Sequence, residues 1–287
     1  MNIDTLLLDW LRLGLRWLHV VAAIVWIGTA FYVTGLDREL RRRQGGEAWQ
    51  VHGGGFYRIR GVTPGDAPPP ASGFTRFYWP AYTTWVSGFL LLVVLYYAEP
   101  TLRLADAGSA LLSPGWAIGL SIGSLLVGYT LYEALCRTPL ARHPGRLGGA
   151  VFLLLVGFAW LHAQLFGGRA ALLHDGALAG TIMVANVAHI MIPGQRRAIA
   201  AWREGRVLDP VWAERARERA LHNDLLILPT VLAMLAAHVP WVDAGGRSWL
   251  LFAGALLVGS GLRLRNGHLT RFGPAAASGS GPRRDPR

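Results

Sequence analysis

Apolar residues along the chain gather into seven long stretches, at roughly 11–36, 79–98, 115–135, 147–166, 172–192, 222–240 and 247–264. A transmembrane helix needs about 20 mainly apolar residues. The pattern therefore predicts an all-α, polytopic transmembrane helix bundle with seven spans. Trp10, Trp17, Trp79, Tyr96, Tyr97, Trp241 and Trp249 lie near segment ends, where interfacial aromatics belong. The first stretch does not fit a cleavable signal peptide, because Asp4 and Asp9 occupy the place of a positive leader and the apolar run is too long.

The polar segments between the spans are unequal. Residues 37–78 and 193–221 are longer than a connection requires, and long loops in compact proteins tend to be functional. In the first, Phe56, Arg58 and Arg60 alternate with Tyr57, Ile59 and Gly61 after Gly53-Gly54-Gly55, which predicts a short strand. Pro68-Pro69-Pro70 follows as a stiff linker. The second reads as helical and interfacial, with Asp209-Pro210 as an N-cap and first-turn pair, and Trp202 and Trp212 at headgroup level. Gly115, Gly119 and Gly123, and Gly176 with Gly180, predict close helix-packing faces. The division expected is a membrane domain over 1–270 and a disordered tail over 271–287, rich in Gly, Ser, Pro and Arg.

Composition sharpens this picture. The chain is 287 residues long, 52% hydrophobic and only 16% charged, yet its formal net charge is +11. All 28 basic residues are Arg. A disordered chain is excluded by the hydrophobicity, and basic nucleic-acid binders are rarely this apolar. Counted by connecting segment from 37–78 onward, the Arg numbers run 7, 1, 3, 1, 7, 1 and 6, with Arg12 and Arg16 in the first span. This alternation follows the positive-inside rule and predicts an N-terminus outside and a C-terminus in the cytoplasm. Most of the +11 is thus topological, holding the loops against anionic lipid. The one cysteine, Cys136, allows no internal disulfide, and the absence of C-x-x-C-H excludes covalently attached c-type haem in this sequence.

Ionisable residues at membrane depth are costly and are candidates for function. Here they are mostly histidines. His19, His162, His174 and His238 fall toward the outer side of the predicted topology, His189 and His222 toward the cytoplasmic side, and His52 in the first long loop. Axial ligation of a b-type haem by His19 with His174 or His238 is one reading of the outer group, with Arg12, Arg16 and Arg169 at the same level for the propionates. Buried imidazoles bonded to backbone carbonyls are the other. Zinc is not expected there, because neither a thiolate nor a close His pair with a carboxylate accompanies them, so haem iron is the only metal anticipated. On the cytoplasmic side, His52, Asn186, Arg196, His222 and Asn223 are expected to gather, with Asn186 needing a partner at that depth.

Several strings resemble the membrane domain of bacterial cytochrome c-dependent urate oxidases (urate hydroxylases). They are Arg16-Trp17-Leu18-His19 with Trp26-Ile27-Gly28 and Phe31-Tyr32; Val51-His52-Gly53-Gly54-Gly55-Phe56-Tyr57; and Ala81-Tyr82-Thr83-Thr84-Trp85 with Ser87-Gly88-Phe89. Further along come Gly180-Thr181-Ile182-Met183, Ala185-Asn186, Pro193 and Gln195-Arg196, then Leu221-His222-Asn223, Leu228-Pro229 and His238. The resemblance is colinear from about 14 to 265. It departs locally at Pro80, where an acid is expected, and at Gly194 and Asp224, where Asn is expected.

The resemblance implies oxidation of urate to 5-hydroxyisourate in the bacterial inner membrane, with electrons passed to a cytochrome c. Members of that family typically continue into a C-terminal cytochrome c domain, so a separate periplasmic cytochrome c is the expected acceptor here. Urate is a planar monoanion with amide-like edges. Tyr82, Trp85, Asn186, Gln195, Arg196 and Asn223 offer stacking, amide and guanidinium groups for it. His52 or His222 is the expected general base, since an unperturbed imidazole titrates at about 6.5. Two other classes fit the same pattern: a haem b electron-transfer subunit without its own substrate, and a purine-anion transporter. No inverted repeat or pair of broken helices marks the latter.

Overall fold

The structure is a computed structural model that describes residues 3–42, 46–61, 78–98, 104, 113–206, 210–239 and 246–263. The 271–287 tail, the Pro68–Pro70 linker and the Asp209 cap lie outside the described residues.

Seven helices follow the seven apolar stretches. They are α1 (Ile3–Arg42), α2 (Trp79–Tyr97), α3 (Pro114–Arg137), α4 (Pro144–Leu165), α5 (Gly168–Arg203), α6 (Pro210–Ala236) and α7 (Ser248–Arg263). Six are long and apolar enough to cross a membrane, and α7 is a shorter apolar helix. Proline opens α3, α4 and α6, where its missing N–H costs nothing and its fixed φ suits the first turn.

Three helices outrun the apolar stretches that announced them. α1 reaches Arg42, α5 runs on to Arg203, and α6 begins at Pro210, so the segment expected as a separate connection over 193–221 is mostly the polar ends of two spans. Hydrophobicity reports where a helix is apolar, whereas helical hydrogen bonding continues into polar sequence.

α5 is the centre of the bundle, packing on α2, α3, α4, α6 and α7. Half of the most apolar window of α5 and of α6 is buried within the chain, against 6% for α1. The main core joins Tyr132, Leu147, Leu155, Leu172, Ile182, Ile227 and Phe252. Leu153 and Leu257, by contrast, are exposed outward, as suits side chains facing lipid. α1 packs chiefly on α2.

Two prolines shape the core helices. Pro193 lacks an N–H and its ring crowds the carbonyl four residues back, at His189. α5 widens immediately before it into a π-helical turn over Asn186–Met191. Pro229 lies inside α6, and α7 can press against it because residue 259 is glycine: a Cβ there would stand 3.0 Å from Pro229 Cδ.

Among the described residues, the glycine face expected at Gly115, Gly119 and Gly123 packs on nothing, since a Cβ at any of the three would meet nothing within 4 Å. The close approach on α3 is at Gly128, against Leu178, and on α5 at Gly176, against Met234.

Among the described residues, the strand structure is a single hairpin. The expected strand is β2 (Gly55–Arg60), and it pairs antiparallel with β1 (Glu47–His52), which the sequence pattern did not announce. His52 pairs with Gly55 across a two-residue turn in which Gly53 and Gly54 have φ of 56° and 81°. Two successive positive φ values define the turn that matches strand twist, and glycine adopts them without steric cost.

Candidate functional site

The hairpin and α1 enclose an open cleft of about 910 Å³ lined by Tyr32, Gln50, Val51, His52, Phe56, Tyr57, Arg58 and Ile59. Directly paired residues of an antiparallel ladder share a face. Gln50 and Tyr57 are paired, and His52 follows two residues on, so Gln50, His52 and Tyr57 lie on one face. Ala48, on that same face, is buried, and Tyr32 donates to Gln50 Oε1 at 2.5 Å, which fixes the hairpin against α1. The Tyr57 ring folds back over Gly55: a Cβ there would stand 2.9 Å from its hydroxyl, so this position admits only glycine without a shift. Arg58 reaches the cleft from the other face, with Glu47 Oε1 3.8 Å from its Nε. The result is an open, concave site carrying an imidazole, an amide, two phenols and one guanidinium.

A second polar constellation is closed rather than open. It lies between α3, α5 and α6, at the ends that carry the Arg-rich segments. Asn186, 1% exposed at the start of the π turn, donates from Nδ2 to Tyr132 Oη and to Asn223 Oδ1, both at 2.9 Å. Its Oδ1 accepts from Arg219 at 3.2 Å. Asn223 Nδ2 donates to the Met183 carbonyl at 2.9 Å. Tyr132 Oη lies 2.7 Å from His222 Nδ1, and the Arg219 guanidinium sits 5.1 Å above the Tyr132 ring while pairing with Glu133 at 2.9 Å. The partner that Asn186 was expected to need is therefore threefold. These groups spend their hydrogen-bonding capacity on one another.

The expected cytoplasmic gathering divides between these places. His222, Asn186 and Asn223 come together. His52 stands on the hairpin, and Gln195 and Arg196 are exposed on the polar end of α5. Tyr82 makes edge contacts with the Tyr78 and Trp79 rings, and Trp85 donates from Nε1 to Thr181 Oγ1 at 3.1 Å. Among the three departures, Pro80 accepts at its carbonyl from Thr84, Gly194 faces Ala216, and Asp224 pairs with Arg263.

The outer histidines do not gather at one place, although the His162 and His174 rings lie 5.6 Å apart. His19 lies between α1 and α2, its Nδ1 donating to the Thr84 carbonyl at 2.9 Å; a Cβ on Gly88 would fall 2.8 Å from its ring. His174 is fully buried; Nδ1 donates to the Ala170 carbonyl at 2.7 Å, Nε2 faces Ser121 Oγ at 2.6 Å, and Phe166 stacks on the ring at 4.5 Å. With both nitrogens engaged and one face covered, His174 in this arrangement offers iron no lone pair. His238 is exposed in the turn after α6. His162 is bonded through Nδ1 to Asp175 Oδ1 at 2.7 Å, both buried. Of the three haem candidates, His19 fits best, since its Nδ1 bond to a carbonyl leaves the Nε2 lone pair for a metal.

Gln50, Tyr132, Glu218 and Arg219 were not among the site residues expected from the sequence, and Tyr32 was noted only within a resembling string. A signal was available for some of them: Tyr132 and Cys136 on α3, and Glu218 and His222 on α6, stand four residues apart and so share a helix face.

No curated protein and no solved structure matches the chain. The family model for the urate oxidase N-terminal region matches residues 5–268. Because that match takes in all seven helices and the hairpin, the chain belongs to the urate oxidase N-terminal family.

Proposed function

We propose that this protein is a membrane-bound oxidoreductase that converts urate to 5-hydroxyisourate and passes the electrons to a cytochrome c. The observation that carries this reading is the hairpin cleft, where an imidazole, an amide, phenols and a guanidinium converge on an opening suited to a small planar anion. The closed Asn186–Asn223–Tyr132 network ties α3, α5 and α6 together.

Hydroxylation of urate adds the oxygen of one water and removes two electrons and two protons. In the cleft, Gln50 and Tyr57 hold the amide-like edge and Arg58 meets the negative charge from the rim. His52 takes a proton from the attacking water. A haem b, whose site on this chain would be His19, would supply one-electron transfer toward the acceptor. The Arg-rich segments, by the positive-inside rule, support a cleft on the cytoplasmic face of the inner membrane.

The test is a urate-consumption assay on membranes with added oxidised cytochrome c, together with a haem spectrum. The expected result is urate-dependent cytochrome reduction that falls by roughly 10²–10⁴-fold in His52→Ala. A haem spectrum without urate consumption with any acceptor would favour the electron-transfer subunit. Vesicle uptake of urate without redox change would favour the transporter.

A further inference from the structure

We infer that Cys136, Glu218 and His222 form a binding site for a borderline divalent cation of the zinc type, at the end of the bundle where α3 meets α6. One ligand atom from each residue lies within 4.8 Å of the other two. Ligand atoms 2.0–2.3 Å from a tetrahedral zinc stand about 3.3–3.8 Å apart. The difference is within reach of small side-chain torsions.

The donor set has a chemical preference. A thiolate with an imidazole and a carboxylate suits zinc and its neighbours, whereas magnesium and calcium take oxygen ligands. Three protein ligands leave a fourth position for water. Glu218 and His222 present their side chains from successive turns of α6, and Cys136 faces them from the last turn of α3.

Two further observations point to a ligand here. Glu218 Oε1 is buried with no hydrogen-bond partner. Arg219, adjacent to Glu218 in sequence, directs its hydrogen bonds to Glu133 and Asn186 instead. The surroundings also orient the imidazole: His222 Nδ1 lies 2.7 Å from Tyr132 Oη, which Asn186 Nδ2 holds at 2.9 Å. A ligating histidine characteristically bonds a partner through its other nitrogen, and this bond leaves Nε2 for the cation. Binding displaces the Cys136 thiol proton, so zinc uptake releases protons to buffer. The site shares no residue with the hairpin cleft and does not depend on the urate reading.

The experiment uses the full chain purified in detergent, stripped with a chelator and titrated with Zn²⁺ and with Co²⁺. One equivalent of either metal is expected to bind, Co²⁺ giving the near-ultraviolet band of thiolate-to-cobalt charge transfer. Cys136→Ser should abolish the band and Glu218→Gln should weaken binding. Tyr132→Phe should keep the band with roughly 10- to 100-fold weaker affinity. Circular dichroism like the parent's identifies variants that have folded. On the unaltered chain, Zn²⁺ should protect Cys136, the only cysteine, from alkylation. The proposal is overturned if the parent chain shows no charge-transfer band, if zinc leaves alkylation unchanged, or if folded Cys136→Ser binds as the parent does.

Discussion

Asp224 on α6 and Arg263 in the last turn of α7 form a buried ion pair, with Arg263 Nε donating to Asp224 Oδ2 at 3.0 Å. The Arg263 guanidinium also lies 4.4 Å from the centre of the Phe31 ring, so the pair links α6, α7 and α1. An acid at 224, where the family resemblance led us to expect Asn, thus has a structural counterpart at the end of the last described helix. Removing one member of a buried pair strands the other charge and costs about 3–5 kcal/mol, while replacing both by apolar groups costs far less. Asp224→Asn should lower the unfolding midpoint of the detergent-solubilised protein markedly. Asp224→Leu with Arg263→Met should recover most of the loss. Equal destabilisation by the single and the double variants would show that the pair does not behave as a unit.

Arg58 and His52 should separate kinetically. A guanidinium that meets the substrate anion equally in ground and transition states acts on KM, whereas a base acts on kcat. Losing a charge-assisted hydrogen bond costs about 1.5–3 kcal/mol. Arg58→Gln is therefore expected to raise the KM for urate by at least tenfold with kcat nearly unchanged. Steady-state kinetics against cytochrome c reduction provide the measurement.

The turn glycines test the hairpin without touching the bundle. Gly54 has φ of 81°, a region in which an L side chain costs about 1–2 kcal/mol. Gly54→Ala should leave helical circular dichroism intact, increase proteolytic cleavage near residue 54 and lower urate turnover. Unchanged turnover with a loosened hairpin would separate the cleft from catalysis.

Asn186 holds the closed network through contacts to three side chains. Asn186→Ala leaves Arg219, Tyr132 and Asn223 each short of a partner, and an unsatisfied buried group costs about 1–3 kcal/mol. Reduced thermal stability is expected, read by tryptophan fluorescence in detergent.

At the α1–α2 seam, Gly88→Ala would bring a methyl to 2.8 Å from the His19 ring. Overpacking of this kind costs about 1–3 kcal/mol. A shift in any haem spectrum of the variant, relative to the parent, would report displacement of His19.

The sequence made the helices legible because apolar runs and the positions of Arg are local signals. Gly53-Gly54-Gly55 and the alternation after it announced β2 for the same reason. β1 stayed hidden: Trp49, Gln50 and Val51 show no clean alternation, and their strand exists because β2 and Tyr32 supply partners. Pairings across helices were equally invisible. Nothing in the spacing of Asp224 and Arg263, or of Glu133 and Arg219, tells which charge meets which. The need of Asn186 for a partner was readable from its depth, but the identity of Tyr132 and Arg219 was a matter of packing. His52 was expected among the inner groups because topology places it on their side of the membrane, yet sidedness says nothing about which end of which helix carries a loop.

α1 is 40 residues long, which makes it about 60 Å from end to end, while the hydrocarbon layer is about 30 Å thick. Roughly half of this helix is surplus to the crossing. The surplus lies at both ends of the apolar stretch, and Tyr32, near the inner end of that stretch, fastens the hairpin to the side of α1. If the proposed function holds, a charged substrate would reach this open cleft by diffusion from the aqueous phase, with no need to shed its hydration in lipid.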